Sequence, residues 1–129
     1  MTIRRRYRKK ADQFVVAVRL QLDTAGFTYR KWGGEQRCKP GDWLVDNQGD
    51  IYTVDGEAFA KTYRCKGPGI YVKTTPIWAE VADRPGSVAT KEGRSHYGAG
   101  DYLVYNNPDG TDAYCITADK FESMYELDE

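Results

Sequence analysis

Long apolar runs are missing from this 129-residue chain. No stretch approaches the ~20 residues of a membrane-spanning helix, and the basic N-terminus is not followed by the hydrophobic stretch of a secretion signal, so no membrane partner is expected. Cysteine is scarce and odd in number, as Cys38, Cys65 and Cys115, with no short spacing. That pattern argues against a disulfide framework and lacks the close ligand pair of a structural zinc site. Three reduced thiols in a cytoplasmic protein, with no metal and no cofactor, are the expectation. Histidine occurs once, at His96. Phosphate-loop chemistry is lacking too, because neither Gly33-Gly34 nor Gly67-Pro68-Gly69 leads into a Lys-Ser/Thr step and a helix. Net charge is zero, with nineteen basic against nineteen acidic side chains, so total charge names no partner.

What is present is a globular composition, 40% apolar and 29% charged, at the length of one ordinary domain. The charge is unevenly placed. Residues 1–64 carry thirteen Lys/Arg against eight Asp/Glu, and residues 65–129 carry six against eleven. Much of this sits at the ends, in Arg4-Arg5-Arg6-Tyr7-Arg8-Lys9-Lys10 and in the acidic stretch from Glu122 to Glu129. Such ends can attract each other, a neighbouring copy or a charged partner.

The strongest signal is an internal repeat. Residues 41–64 and 100–126 align with a three-residue insertion in the second copy. Gly41/Gly100, Asp42/Asp101, Leu44/Leu103, Val45/Val104, Asn47/Asn106, Asp50/Asp112, Tyr52/Tyr114, Phe59/Phe121 and Tyr63/Tyr125 are identical, and Trp43 stands opposite Tyr102. Upstream, Tyr7-Arg8-Lys9 matches Tyr71-Val72-Lys73 in outline. The division read from this is a first module at 1–64 with the basic N-terminus, a linker at 65–69, and a second module at 70–129 with the acidic C-terminus. At ~60 residues either module alone has a marginal core, so the two are expected to share one.

Phe14, Val16, Val18, Leu20 and Leu22 alternate along one long strand and predict a continuous apolar face. Gly33-Gly34 reads as a two-residue hairpin turn, Pro40-Gly41 as the next turn, and Asn47-Gln48-Gly49-Asp50 as a third. Each module then ends in a short helix. Asp55 or Thr117 is the N-cap, and Phe59 with Tyr63, or Phe121 with Tyr125, form one helical face. The expected fold is α+β, mainly antiparallel β: two related modules of hairpins plus a short helix, packed with pseudo-twofold symmetry.

Tyr7 to Lys10, Pro40 to Val45, Gly49 to Tyr52 and Phe59 to Tyr63 resemble a family of small phage and prophage proteins with no assigned activity. The family pattern is Tyr-Arg-Lys-Lys-Pro, Pro-Gly-Asp-Trp-Ile/Leu-Val, Gly-Glu-x-Tyr and Phe-x-x-Thr-Tyr-Glu. Ala11, Asp50 and Arg64 depart from it, as does the presence of a second copy. The resemblance implies a fold and a genomic setting, not a mechanism.

Three arrangements point to chemistry. Asp42 and Asp101 form a symmetric carboxylate pair, but an Asp after Gly at a strand entrance more often bonds its own turn amides. Cys38, Cys65, Cys115 and His96 would make a zinc set or a Cys–His dyad on paper only, with no ligand pair and no nucleophile elbow. The N-terminal arginines Arg4, Arg5, Arg6 and Arg8 can neutralise phosphates while Tyr7 stacks on a base. Tyrosine is abundant, and Trp32, Tyr97 and His96 near the hairpin tips are candidate recognition residues. Gly41, Asp42, Trp43, Phe59 and Tyr63, with Gly100, Asp101, Tyr102, Phe121 and Tyr125, are read as structural. The leading function is a non-catalytic binding or adaptor protein with a protein partner. A nucleic-acid binder using the basic segment comes second and an unrecognised small enzyme third.

Overall fold

Turn chemistry sets most strand boundaries in the computed structural model, which describes residues 3–128. Strands β1 (Arg5–Lys9), β2 (Val15–Arg19), β3 (Phe27–Lys31), β4 (Gly34–Cys38), β5 (Trp43–Asn47) and β6 (Asp50–Val54) precede helix α1 (Gly56–Thr62). Strands β7 (Tyr63–Gly67), β8 (Ile70–Lys73), β9 (Ile77–Val81), β10 (Gly86–Ala89), β11 (Arg94–Tyr97), β12 (Tyr102–Tyr105) and β13 (Ala113–Ile116) follow. Helix α2 (Ala118–Met124) and β14 (Tyr125–Leu127) close the order. The β3–β4 turn consists of Trp32 and Gly33, both at positive φ, one residue earlier than the glycine pair suggests. Gln48 and Gly49 make the same two-residue turn between β5 and β6. Positive φ at both central residues matches the twist of the flanking strands.

Two five-stranded antiparallel sheets result, with orders β6-β5-β2-β8-β7 and β13-β12-β9-β1-β14. The orders correspond strand for strand, and so do the registers. Ala17 faces Val45 and Val45 faces Tyr52 in the first sheet; Ala79 faces Val104 and Val104 faces Tyr114 in the second. Sheet membership crosses the division at 64 and 70. Strand β1 lies between β9 and β14, and β8 lies between β2 and β7, so each sheet takes one strand from across that line. The basic and acidic ends meet in this arrangement: Arg8 Nε donates to Glu126 at 2.8 Å, and Arg6 Nε sits 3.1 Å from Asp128.

Each sheet packs a helix on its inner face. Phe59 stacks on Trp43 at 4.2 Å and on Tyr63 at 4.5 Å, above Val15, Ala17 and Val45. Phe121 stacks on Tyr102 at 3.9 Å and on Tyr125 at 4.9 Å, above Ile77, Ala79 and Val104. Small Ala17 and Ala79 at the sheet centres leave room for these rings. The hairpins β3–β4 and β10–β11 meet through an antiparallel bridge between Gln36 and Gly93, with Arg37 N donating to Glu92 O and His96 N to Trp32 O. A Cβ on Gly34 would meet Arg94 O, and one on Gly93 would meet Glu35 O, so the crossing needs bare backbone on both sides.

Three local expectations are corrected. First, the buried face of β2 is Val15 and Ala17, not the set from Phe14 to Leu22; Phe14, Val16, Val18 and Leu22 are 41–72% exposed. Both faces of this segment are apolar, so alternation alone does not choose between them, and the fit of the α1 aromatics decides. Second, the helices end at Thr62 and Met124, and Tyr63 and Tyr125 open strands with extended backbone. Their rings reach Phe59 and Phe121 from the sheet. Third, Asp55 Oδ2 accepts from Ala58 N and caps α1, whereas the Thr117 side chain makes no cap bond. Among the described residues, no helix is long and apolar enough to cross a membrane.

Candidate binding face

The outer face of the first sheet is built by the residues that alternate with its core. Val16 pairs across to Asp46 on β5 and Ile70 on β8; Val18 pairs with Leu44; Asp46 pairs with Ile51 on β6. Val16 is 41%, Val18 58%, Leu44 41% and Ile51 47% exposed. Beyond the end of β2, Leu20 and Leu22 run beside Phe27 of the β3–β4 hairpin and enclose, with Val18 and Leu44, an apolar groove of about 350 Å³. An isolated exposed valine needs no explanation, but a contiguous apolar sheet face does.

On the second sheet Trp78, Leu103 and Ala113 stand at the positions of Val16, Leu44 and Ile51, but three other corresponding positions carry charge. Arg6 and Arg8 stand where the first sheet has Ile70 and Val72, and Glu80 stands where it has Val18. The Arg4 guanidinium lies 4.3 Å above the Tyr105 ring, and Tyr105 Oη donates to Glu80 at 2.6 Å. Burial beside Glu80 pushes the Tyr105 phenol up to about 12. The hydrogen bond from Arg8 to Glu126 holds its guanidinium above the ordinary arginine value. Ion pairs and a cation–π contact thus cover one outer face, and the other is mainly aliphatic, with Asp46 between Ile51 and Val16 and Arg64 beside Val72.

Between the sheets lies a polar layer. Lys73 Nζ donates to Asn106 Oδ1 at 3.2 Å and to Tyr114 Oη at 3.0 Å. Asn47 Nδ2 donates to Tyr52 Oη at 3.3 Å and to Met124 Sδ at 3.2 Å. Lys9 Nζ reaches the same sulfur at 3.6 Å. Burial lowers Lys9 to about 8; burial, with the repulsion of Lys9, lowers Lys73 to about 7. Burial pushes Tyr52 up to about 12 and raises Tyr63, Tyr114 and Tyr125 well above 10. These groups satisfy one another, and the layer ties the sheets together.

The residues singled out by chemistry fall as follows. Asp42 is 2% exposed; its oxygens accept from Lys39 N, Lys39 Nζ and Gly56 N. Asp101 accepts from Gly98 N. Each carboxylate closes its own turn. Cys38 is buried, with its thiol raised by burial; Cys65 is exposed; Cys115 is partly buried and raised to about 11 by burial. No group of three metal-ligating side chains occurs among the described residues. Trp32 sits at the β3–β4 tip against Tyr52, and Lys31 lies over its ring. His96 and Tyr97 lie along β11 instead of at a tip, and the His96 ring covers Gly33. Arg5 lines a shallow cleft of about 420 Å³ with Ile3, Tyr7 and Glu80.

Alternation along residues 14–22 points Phe14, Val16, Val18, Leu20 and Leu22 to the core, whereas the structure turns most of them outward. A signal was present: Phe14 to Val18 is apolar at every position. An antiparallel strand with one solvated face alternates; one apolar on both sides asks for cover on both. Compared with known proteins, the chain matches no family model, no curated protein and no solved structure.

Proposed function

We propose that this chain is a non-catalytic binding protein of the cytoplasm, a duplicated module of the phage type it resembles, and that it docks a protein on the outer face of the first sheet. One observation carries the reading: Val16, Val18, Leu44 and Ile51 leave aliphatic side chains in water on the first sheet, while the second sheet places charge at the counterparts of Val18, Ile70 and Val72 (Glu80, Arg6 and Arg8). The duplication is supported by the matching registers of the two sheets and by the equivalent stacks around Phe59 and Phe121. After a duplication, one copy is free to lose the surface charge that kept its outer face solvated. A protein partner suits this face because flat aliphatic surface gains free energy by area and offers nothing to a phosphate.

Nucleic acid is the poorer partner. Arg6 and Arg8 are paired to Asp128 and Glu126, and Arg4 is engaged with Tyr105 and Pro108 O. Binding phosphate there requires breaking those contacts. Deleting residues 1–10 is also an unsuitable probe, since it removes β1 from the middle of a sheet. The test is affinity capture from host lysate with the tagged chain and with Val18→Asp. With untagged chain added to the lysate, a protein recovered by the wild type and lost from the variant is expected, the untagged chain itself counting as one; identical profiles would refute the reading.

A further inference from the structure

Resting on that docking reading, we infer that the occupant of the apolar face is a second copy of this chain, packed face to face across a twofold axis. The edges of the first sheet are poor sites for strand addition. Edge strand β7 carries a register break between Cys65 and Gly67, with Lys66 inside it and Pro68 just beyond. Edge strand β6 is covered by the β3–β4 hairpin, where Tyr29 Oη accepts from Thr53 N at 3.0 Å. Bulges, lysines and covering hairpins are the devices that block edge pairing. For the first sheet, association is thereby left to the face.

The area suits a dimer. Val16, Val18, Leu22, Phe27, Leu44 and Ile51 together leave on the order of 500 Å² of apolar side chain in water, at the upper end of what a monomer exposes. With the half-buried flanks Leu20, Ile70 and Val72 the patch comes to roughly 600–700 Å², at the lower end of the ~600–1,000 Å² that each partner contributes to a standard interface. A twisted, flat, aliphatic sheet face packs best on another such face, with strands about 30° apart. The other sheet of the same chain cannot be that surface, since Arg6, Arg8 and Glu80 occupy it. An isologous contact needs the same patch on both subunits. Charge permits this: the chain has no net charge, and the face bears Asp46 near one edge and Arg64 at the other. A twofold operation turns Arg64 toward Asp46 of the partner subunit.

Sedimentation equilibrium on the full chain, from about 1 to 100 µM, tests the inference. The wild type is expected to give a monomer–dimer equilibrium, and Val18→Asp with Leu44→Asp a monomer, with Kd raised at least ~100-fold because two carboxylates would have to lose water at the contact. Both side chains face solvent, so circular dichroism and the melting temperature of the dilute monomer stay unchanged. Val18→Thr keeps the β-branched shape and guards against misfolding; it should raise Kd by about threefold or more. A wild type that stays monomeric at 100 µM overturns the second-copy assignment, as does a dimer indifferent to these substitutions. If the monomeric wild type still captures a different protein and Val18→Asp does not, the docking reading survives while the dimer fails.

Discussion

Replacing Lys73 by methionine removes the larger of two misplaced charges from the layer between the sheets. The folded state holds Lys73 at about 7 and Lys9 at about 8, against 10.5 unperturbed. The unfolded chain therefore binds more protons than the folded one between about pH 7 and 10.5, and stability must rise with pH over that window. The full Lys73 shift would correspond to about 1.6 kcal/mol gained between pH 7 and 8.5, and Lys9 to about half as much. Both lysines keep part of their surface in water, which reduces the total to about 1–2 kcal/mol. Tyr52, Tyr63, Tyr114 and Tyr125, raised in the folded state, act in the opposite sense only above pH 10. The raised thiols Cys38 and Cys115 begin to oppose the trend near pH 9, so the clean window closes at about 8.5.

Lys73→Met abolishes most of this rise. At pH 7 it also stabilises the fold by about 1 kcal/mol, the removed charge outweighing the loss of its hydrogen bonds to Asn106 Oδ1 and Tyr114 Oη, which costs about 1 kcal/mol each. The assay is urea unfolding at half-unit pH steps from 6.5 to 8.5, at one protein concentration so that association does not enter. A wild-type profile that is flat, or one that keeps its slope in Lys73→Met, refutes the account of the central layer.

Two further substitutions probe the fold. Phe59→Ala and Phe121→Ala should each cost about 3–5 kcal/mol in urea unfolding and agree within about 1 kcal/mol, because each ring is buried between corresponding aromatics. A near-neutral result for either would remove the basis for treating the two stacks as equivalent. Gly93→Ala should cost about 1–3 kcal/mol by forcing Glu35 O and Gln36 Oε1 away from the hairpin crossing. Gly67→Ala, with open space around its Cα, is the control and should lie within about 0.5 kcal/mol of wild type; equal effects at both would argue against the crossing.

Much of the fold was legible because local chemistry and tertiary packing agree. Positive-φ turns at Gly33, Gly41 and Gly49, the Asp55 cap and the paired aromatics at Phe59 and Phe121 all act within a few residues of themselves. The identities between residues 41–64 and 100–126 fall at corresponding sheet positions, since identical residues at Val45 and Val104 demand similar surroundings. Legibility failed where two local readings were equally good. Phe59 and Tyr63 are four apart and suit one helix, yet the chain leaves the helix at Tyr63 to complete a sheet edge. Both sides of β2 are apolar, so no pattern within the strand identifies which side meets α1.

The sequence by itself therefore determined the antiparallel β character, the turns, the two short helices and the nine identities that relate residues 41–64 to 100–126. Only the tertiary structure decided that β1 and β8 cross into each other's sheets, which requires knowing that Tyr7 fits beside Tyr102 and Phe121, distant segments of the chain. It also decided that Val16 and Val18 face water while Val15 and Ala17 do not. The reason is common to both. A strand's hydrogen bonds are satisfied by any neighbour, so partner and facing are chosen by side-chain volume contributed from distant segments, and that information is absent from any local window of sequence.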